Sequence, residues 1–305
     1  MDFLYFLEDL RTPLLDTLFS TLTHLGGETV FLVAALAVFW CLDKRQGYYL
    51  LSVGFMGTLV NQFLKITCRI PRPWVRDPRF TIVESARAEA TGYSFPSGHS
   101  TSSVGTFGVL ATESKKRWQR LLAVAMCLLI PFTRLYLGVH TPADVLVGSA
   151  ISLFFLILLR PVIYGNHGRR MPWLLGVMLL LAAGFVAYME LYPFPADVDH
   201  ENLFSALKNS YTLLGALAGM IIVYLADCRL NFPTGAVWYA QILKCVLGLA
   251  LVLAVKEGLK APLDTLLGGH MAARGIRYMA VVLVAGIVWP MSFRHFTKLG
   301  RKDFS

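Results

Sequence analysis

This sequence of 305 residues has little charge: only 15% of its residues are Asp, Glu, Lys or Arg, whereas 56% are hydrophobic. A soluble protein carries about 25% charged residues, so the composition excludes an ordinary soluble chain. The formal net charge of +9 does not indicate nucleic-acid binding here, because loop cations in a membrane protein mainly report its orientation. We therefore expect contact with membrane lipids and not with nucleic acid.

Several familiar kinds of site are also absent from the sequence. The five cysteines are scattered, and they form neither a disulfide framework nor a metal-binding spacing. There is no clustered set of metal ligands, no Walker loop and no dinucleotide fingerprint. No cationic start leads into a short apolar stretch with a cleavage site, so we expect no removable signal peptide. The sequence predicts chemistry without a metal or another cofactor.

Long apolar runs are abundant, and they predict an all-α fold, a polytopic membrane helical bundle. We expect about nine transmembrane helices. Their approximate ranges are 27–42, 47–66, 98–113, 119–138, 142–160, 172–191, 207–227, 236–256 and 275–293. The opening segment, residues 1–25, mixes apolar and charged residues. It suits an amphipathic N-terminal helix that lies in the membrane interface rather than a span.

Cations alternate between the predicted loops. They follow the first, third, fifth, seventh and ninth predicted spans, and the richest cluster lies at residues 115–120. The positive-inside tendency assigns these loops to the cytoplasm. The long loop 67–95 and the turn near His140 then face outward. The connection 256–277 is an exception, because it carries several cations on the outer side.

Three cations lie at the edges of apolar segments, where ionisable groups usually mark a functional site. Lys65 and Arg72 are two helical turns apart, so we expect them to face one side of a helix that ends at Pro73. Arg134, near the end of the fourth predicted span, can supply a bidentate guanidinium. Each cation alone could simply snorkel to the membrane surface, but the combination suits the oxygens of a phosphate.

The run Pro-Ser-Gly-His at residues 96–99 opens the third predicted span. Amide groups at a helix N-terminus bind anions, and Gly98 next to Ser97 lets oxygens approach the backbone closely. His99 lies in the first turn, where it can protonate a leaving group. The simpler alternative is a helix start whose histidine points to water.

His140 and Asp144 are four residues apart at the start of the fifth predicted span. This spacing lets the carboxylate hydrogen-bond one ring nitrogen and leaves the other nitrogen as a nucleophile. The simpler alternative is an interfacial capping pair. A phosphoryl-transfer site requires a nucleophile, an acid and cations together, and this stretch of sequence supplies all three.

In combination, these segments resemble the type 2 phosphatidic acid phosphatase (PAP2) family, the lipid phosphate phosphatases. The family pattern is Lys, six residues, Arg-Pro; then Pro-Ser-Gly-His; then Ser-Arg, five residues, His, three residues, Asp. The resemblance covers roughly residues 45–160 with the correct internal spacings. Thr133 departs from the pattern, because Ser usually precedes the arginine, but it keeps a hydroxyl group.

The resemblance implies a metal-independent reaction in two steps. His140 would attack phosphorus and form a phosphohistidine, and Asp144 would orient it. His99 would protonate the leaving group and then activate water. The groups that would bind the phosphoryl oxygens are Lys65, Arg72, Arg134 and the backbone amides of Ser97 and Gly98.

Our first hypothesis is an integral membrane lipid phosphatase with a phosphatase core at 1–165 and a four-span membrane extension at 166–305. The motifs of the core lie within 65–144. Candidate substrates are isoprenyl diphosphates, phosphatidate-like lipids and sphingoid or lysolipid phosphates. The style of the sequence suggests a bacterial plasma membrane with the site on the extracytoplasmic face; in a eukaryote this face would be the lumen of the endoplasmic reticulum.

Three other functions remain open at this point. A sugar phosphatase similar to glucose-6-phosphatase would also have nine spans, and a lipid phosphotransferase would use the same site with another acceptor. A non-catalytic membrane protein could reuse the fold, although the intact set of two histidines and an aspartate argues against it. A haloperoxidase shares related site geometry, but those relatives are soluble.

Overall fold

The computed structural model describes residues 1–165 and 169–299, and within these ranges it contains helices and no β-strand. The predicted all-α class is therefore confirmed. The helices are α1 (Asp2–Asp9), α2 (Pro13–Thr23), α3 (Glu28–Cys41), α4 (Lys44–Cys68), α5 (Pro73–Arg76), α6 (Gly98–Glu113), α7 (Arg117–Tyr136), α8 (Pro142–Tyr164), α9 (Met171–Leu191), α10 (His200–Leu230), α11 (Trp238–Gly258), α12 (Lys260–Leu266) and α13 (Ala272–Leu283). A π-helical turn (Val284–Val288) and the short helices α14 (Trp289–Met291) and α15 (Phe293–Phe296) follow.

Seven helical segments among the described residues are long and apolar enough to cross a membrane. The number is eight if Pro13–Gly26 and α3, which are bent by 48° relative to each other, form one span. About nine were predicted, and the difference comes from two short helices, α3 with 14 residues and α6 with 16. At 1.5 Å per residue, α6 is about 24 Å long, which is less than the hydrocarbon thickness of about 30 Å.

The opening segment forms two helices where one was expected. Thr12 caps α2 by accepting a hydrogen bond from the backbone N–H of Leu15, and Pro13 suits the first helical position. Arg11 donates to the carbonyl oxygens of Thr81 at 2.9 Å and of Tyr136 at 3.1 Å. The polar residues of this segment therefore bind other parts of the chain, whereas its predicted position in the membrane interface stays a prediction.

The described chain divides into two compact units. The first consists of Met1–Ala34, Tyr49–Pro161 and Phe194–Ala206, and the second of Ala35–Tyr48, Val162–Pro193 and the chain from Leu207 onward. All residues predicted to form the site belong to the first unit. The sequence-based boundary between 1–165 and 166–305 stays a prediction, and residues 166–168 and 300–305 of its second part lie outside the described residues.

In the first unit, the long loop between α4 and α6 packs against the end of α7. Tyr136 and Leu137 are buried in a cluster with Ala86 and Ala90 of the loop. The backbone N–H of Val83 donates to the carbonyl oxygen of Leu137 at 3.1 Å. Burial of this apolar surface stabilises the loop, so its backbone can supply hydrogen-bond acceptors at fixed positions.

In the second unit, helix packing depends on close contacts of aromatic rings with small residues. Trp40 is fully buried, and its indole N–H donates to the carbonyl oxygen of Ala285 at 2.8 Å. Gly248 of α11 packs directly against Trp40 and Trp289. Lys44 forms an ion pair with Asp227, which connects the start of α4 to α10.

Gly138 lies in the turn between α7 and α8 and has φ of +77°. A Cβ atom there would lie 3.0 Å from the ring of Phe80, and a left-handed conformation costs other residues about 1–2 kcal/mol. We expect Gly138→Ala to lower the free energy of unfolding by about 1–3 kcal/mol, measured by thermal unfolding in detergent. Gly176→Ala in α9 is the control, because a Cβ there has no neighbour within 4 Å. Equal melting temperatures for the two variants would contradict the prediction.

Candidate active site

Lys65 and Arg72 of the first motif do not lie on one face of a single helix, contrary to the prediction. Helix α4 ends at Cys68, and Arg69 has φ of +52°, so the chain leaves the helix before Arg72. Pro73 is the first residue of the short helix α5. The expectation that Lys65 and Arg72 share a continuous helix is therefore wrong, because a left-handed residue interrupts the helix between them.

The two cations nevertheless reach the same stretch of the long loop. Lys65 Nζ donates to the carbonyl oxygen of Tyr93 at 2.6 Å. Arg72 donates through Nε to Gly92 at 3.0 Å and through Nη2 to Thr91 at 2.7 Å. Three consecutive carbonyl groups thus hold the two cations, and backbone dipoles partly replace the water that both lose on burial.

The third motif forms a reciprocal cap at the start of α8. Asp144 Oδ2 accepts from the N–H of Thr141 at 2.7 Å, and the N–H of Asp144 lies 3.3 Å from Thr141 Oγ1. The same Oδ2 lies 3.4 Å from His140 Nδ1, and the exposed fractions of His140 and Asp144 are 2% and 1%. The capping and catalytic interpretations are compatible, because one carboxylate contacts both the helix start and the imidazole.

Ser94, which sequence reasoning missed, contacts the same pair. Its hydroxyl donates to Asp144 Oδ2 at 2.5 Å and lies 3.5 Å from His140 Nδ1. The N–H of Ser94 donates to the carbonyl oxygen of Ile70 at 2.8 Å. This residue therefore connects the first motif to the third, and it fixes the carboxylate that faces the histidine.

The other ring nitrogen of His140 faces Arg72. Arg72 Nη1 lies 2.9 Å from His140 Nε2, and because a guanidinium can only donate, Nε2 carries the lone pair and Nδ1 the proton. Burial, followed by the charges of Arg72, Lys65 and Arg134, lowers the pKa of His140 well below its usual range. A neutral imidazole with its lone pair directed at cations can act as a nucleophile toward a bound anion.

The second motif caps α6 and is bonded to the third. Ser97 Oγ accepts from the N–H of Ser100 at 3.3 Å, and the N–H of Ser97 donates to the carbonyl oxygen of Asp144 at 2.9 Å. The Ser97 amide is thus paired with Asp144 in this structure, and its contact with phosphate stays a prediction. Gly98 is the first residue of α6, where amide groups lack an acceptor within the helix; a Cβ there would have one neighbour within 4 Å, Asn61 Oδ1 at 3.9 Å.

Arg134 is fully buried and only partly paired. Its Nη1 donates to Thr23 Oγ1 at 2.8 Å, while Nε and Nη2 have no hydrogen-bond partner among the described residues. Unpaired buried donors cost about 1–3 kcal/mol each, and an anion would satisfy them. The hydroxyl of Thr133 donates to Ile130 of its own helix at 2.7 Å, so its proton is not directed to a ligand.

His99 faces a carboxylate that the motifs do not include. His99 Nε2 lies 3.1 Å from Glu89 Oε2, and Glu89 Oε1 lies 2.6 Å from His24 Nδ1. The hydrogen bond from His99 lowers the pKa of Glu89 to about 2, with a further contribution from His24. Glu89 is therefore ionised at neutral pH.

The structure thus brings the three motifs together in one unit and adds residues from the opening segment and the long loop. The residues that sequence reasoning missed are Thr23, His24, Glu89 and Ser94. They belong to no recognised spacing, and the unusual length of the loop was the one available signal. In the described part of the chain, no group of three or more His, Cys, Asp or Glu side chains could hold a metal ion.

Buried cations around a histidine have the chemistry that phosphoryl transfer requires. Two family models match the chain: the PAP2 superfamily over residues 45–168 and the "PAP2 superfamily phosphatase, transmembrane extension" over residues 211–302. The chain therefore belongs to the PAP2 superfamily. It is an integral membrane protein, and the prediction of a PAP2-type phosphatase is confirmed.

Individual relatives match about half of the chain. Phosphatidylglycerophosphatase B of Bacillus subtilis is 27% identical over 164 residues, which cover 50% of this chain and 76% of the relative. A probable sphingosine-1-phosphate phosphatase of Dictyostelium discoideum is 28% identical over 48% of this chain and 38% of its own length. The undecaprenyl-diphosphatase of Sulfolobus acidocaldarius is 28% identical over 47% of this chain and 68% of its own. No solved structure gives a significant match.

The unpaired donors of Arg134 predict stabilisation by an oxyanion. We expect tungstate to raise the melting temperature of the detergent-solubilised protein, because a ligand that binds only the folded state stabilises it. Arg134→Met should abolish at least about half of that increase. Arg160→Met is the control, since Arg160 contacts Glu113 at 3.2 Å and belongs to none of the motifs. An equal increase in both variants would show that tungstate binds elsewhere.

Proposed function

We propose that this protein is a lipid phosphatase that hydrolyses a phosphate monoester or diphosphate through a phosphohistidine intermediate. The observation that carries the proposal is the neutral, buried His140, whose Nε2 faces Arg72 and whose Nδ1 faces Asp144. Arg134 supplies unpaired donors in the same unit. A phosphoryl group would compensate the buried positive charge that the chain itself leaves uncompensated.

In the first step, the phosphoryl oxygens bind Lys65, Arg72 and Arg134, and Arg72 exchanges its contact with His140 Nε2 for a contact with the substrate. His140 Nε2 then forms a bond to phosphorus while the bond from phosphorus to the leaving oxygen breaks. His99 gives its proton to that oxygen. Asp144 and Ser94 hold the Nδ1 side of the ring, so that the positive charge that develops on His140 is stabilised.

In the second step, water attacks phosphorus and the bond to His140 Nε2 breaks. His99, now neutral, takes a proton from the water and thereby returns to its starting form. Inorganic phosphate is released, and the net reaction consumes one water molecule. Gly98 lacks a side chain at the start of α6, which leaves space for the oxygens near its amide.

The substrate class follows from the membrane character and from the relatives. The names of the three relatives combine phosphate or diphosphate with a lipid: phosphatidylglycerophosphate, sphingosine 1-phosphate and undecaprenyl diphosphate. A site at the end of membrane helices suits a phosphate head group whose tail remains in the bilayer. We propose an isoprenyl diphosphate, a phosphatidate-like lipid or a sphingoid or lysolipid phosphate as substrate.

Phosphate release in EDTA tests the proposal, with phosphatidate, sphingosine 1-phosphate, undecaprenyl diphosphate and glucose 6-phosphate as substrates. We expect rapid release from a lipid, and a loss of at least about 1000-fold in His140→Ala, because the nucleophile is removed. Labelled phosphate on the enzyme should be stable at alkaline pH and lost in acid, as expected for a phosphohistidine. Wild-type turnover by His140→Ala would refute the mechanism.

The same measurement separates the alternatives. Preference for glucose 6-phosphate would indicate a sugar phosphatase. Transfer to an added lipid alcohol in place of phosphate release would indicate a phosphotransferase. Inactivity toward every substrate, in protein whose melting temperature is normal, would favour a non-catalytic role for the fold.

We further propose that the site faces the extracytoplasmic side of a bacterial plasma membrane, because alternate loops are basic. We expect Arg79→Cys, in a chain otherwise free of cysteine, to react with an impermeant maleimide added outside. Arg79 suits the test because its side chain is 86% exposed. Lys116→Cys, in the loop between α6 and α7, should react only after permeabilisation. The reverse pattern would overturn the orientation; Gly168, another position suited to labelling, lies outside the described residues.

A further inference from the structure

Glu89 contacts two histidines from different parts of the first unit. One carboxylate oxygen lies 3.1 Å from His99 Nε2 and the other 2.6 Å from His24 Nδ1. The side chain of His99 is 16% exposed, whereas that of His24 is 62% exposed. Glu89 therefore lies between the predicted acid of the reaction and a histidine that contacts solvent.

The opening segment forms a wall of the site next to this carboxylate. Thr23 binds Arg134 at 2.8 Å, and the next residue, His24, binds Glu89. A Cβ atom at Gly26 would lie 3.3 Å from the carbonyl oxygen of His99 and 2.6 Å from Ile130. Thr23 and His24 thus contact the neighbours Arg134 and Glu89, and Gly26 packs against the backbone of His99. All three residues precede residues 45–168, over which the family model matches.

His99 requires a negative neighbour because the other charges near it are positive. Burial lowers the pKa of His99, and the charges of Arg134 and Arg72 lower it further, whereas the hydrogen bond to Glu89 raises it. His24 lies on the far side of the carboxylate from His99. An ion pair within about 4 Å favours the charged form of an acid or base, so Glu89 opposes the effect of the two arginines.

We propose that Glu89 is the positioning residue of His99, and that His24 of the opening segment holds Glu89 in place. The carboxylate accepts a hydrogen bond from Nε2–H of His99 and stabilises the imidazolium, which leaves Nδ1–H to donate to the leaving oxygen. No proton has to pass through Glu89, because His99 regains from water the proton that it gave to the leaving group. This inference rests on the proposed phosphatase reaction.

The test compares two substrates whose need for an acid differs. A short-chain phosphatidate has an alkoxide leaving group, which requires a proton, whereas p-nitrophenyl phosphate has a good leaving group, which does not. We expect Glu89→Gln to lower kcat/KM for the phosphatidate about 10-fold to 100-fold, and for p-nitrophenyl phosphate less than about threefold. The ratio kcat/KM reports the first step, in which His140 is phosphorylated.

The pH profile is the second readout. Removal of the negative charge makes His99 lose its proton at lower pH, so the basic limb of kcat/KM for the phosphatidate should move down by about one pH unit or more in Glu89→Gln. Glu89→Asp should restore the position of this limb. Ionisation of the substrate is the same for every variant, so the differences belong to the protein.

Glu84→Gln is the matched control, because Glu84 lies in the same loop and is 71% exposed in an ion pair with Arg87. It should keep the wild-type profile. His24→Ala tests whether His24 supports Glu89, at an exposed position where unfolding is not expected. Its kcat/KM for the phosphatidate should fall about threefold to tenfold. As in Glu89→Gln, kcat/KM for p-nitrophenyl phosphate should fall less. A wild-type selectivity in His24→Ala would overturn the role of His24.

Two results would overturn the role of Glu89. One is an equal loss of activity on both substrates with an unchanged pH profile, which indicates a purely structural residue. The other is a wild-type profile in Glu89→Gln. In either case an active wild-type enzyme that depends on His140 would leave the proposed phosphatase intact, whereas failure of the wild type to hydrolyse either substrate would overturn both proposals.

Discussion

Buried positive charge is the constraint on which this structure depends. Arg134 is fully buried and Arg72 nearly so, and charges removed from water are costly unless they are paired. The chain offsets this cost with dipoles: carbonyl groups of residues 91–93 face Lys65 and Arg72. For that reason the long loop has to fold back on α7, and its apolar residues pack there. The remaining positive charge is available to a ligand, which is the physical basis of phosphate affinity.

The parts of the site that are local in sequence could be predicted from sequence. His140 and Asp144 lie one helical turn apart, so their contact follows from the start of a helix near Pro142. The capping role of Ser97 and the position of His99 in the first turn follow from the same kind of reasoning. The number of spans was less predictable, because hydropathy does not reveal that α3 and α6 end after 14 and 16 residues.

The contacts that could not be predicted join residues far apart in the chain. Thr23 and Arg134 are 111 positions apart, and Ser94 and Asp144 are 50 apart. No periodicity connects such pairs, because they depend on how a loop without regular structure folds back. Arg72 was assigned to the end of a helix for a similar reason: a non-glycine residue with positive φ, here Arg69, leaves no clear mark in a single sequence.

The contribution of Thr23 and His24 to the catalytic unit bears on how such enzymes diversify. The region that the family model recognises begins at residue 45, yet groups before it bind Arg134 and Glu89. Recombination that joined only the recognised region to a new partner would leave the Arg134 guanidinium without Thr23 and the Glu89 carboxylate without His24. The structural module is therefore larger than the motif-bearing region, and variation in the first helices can change the contacts of Arg134 and Glu89 while every motif stays the same.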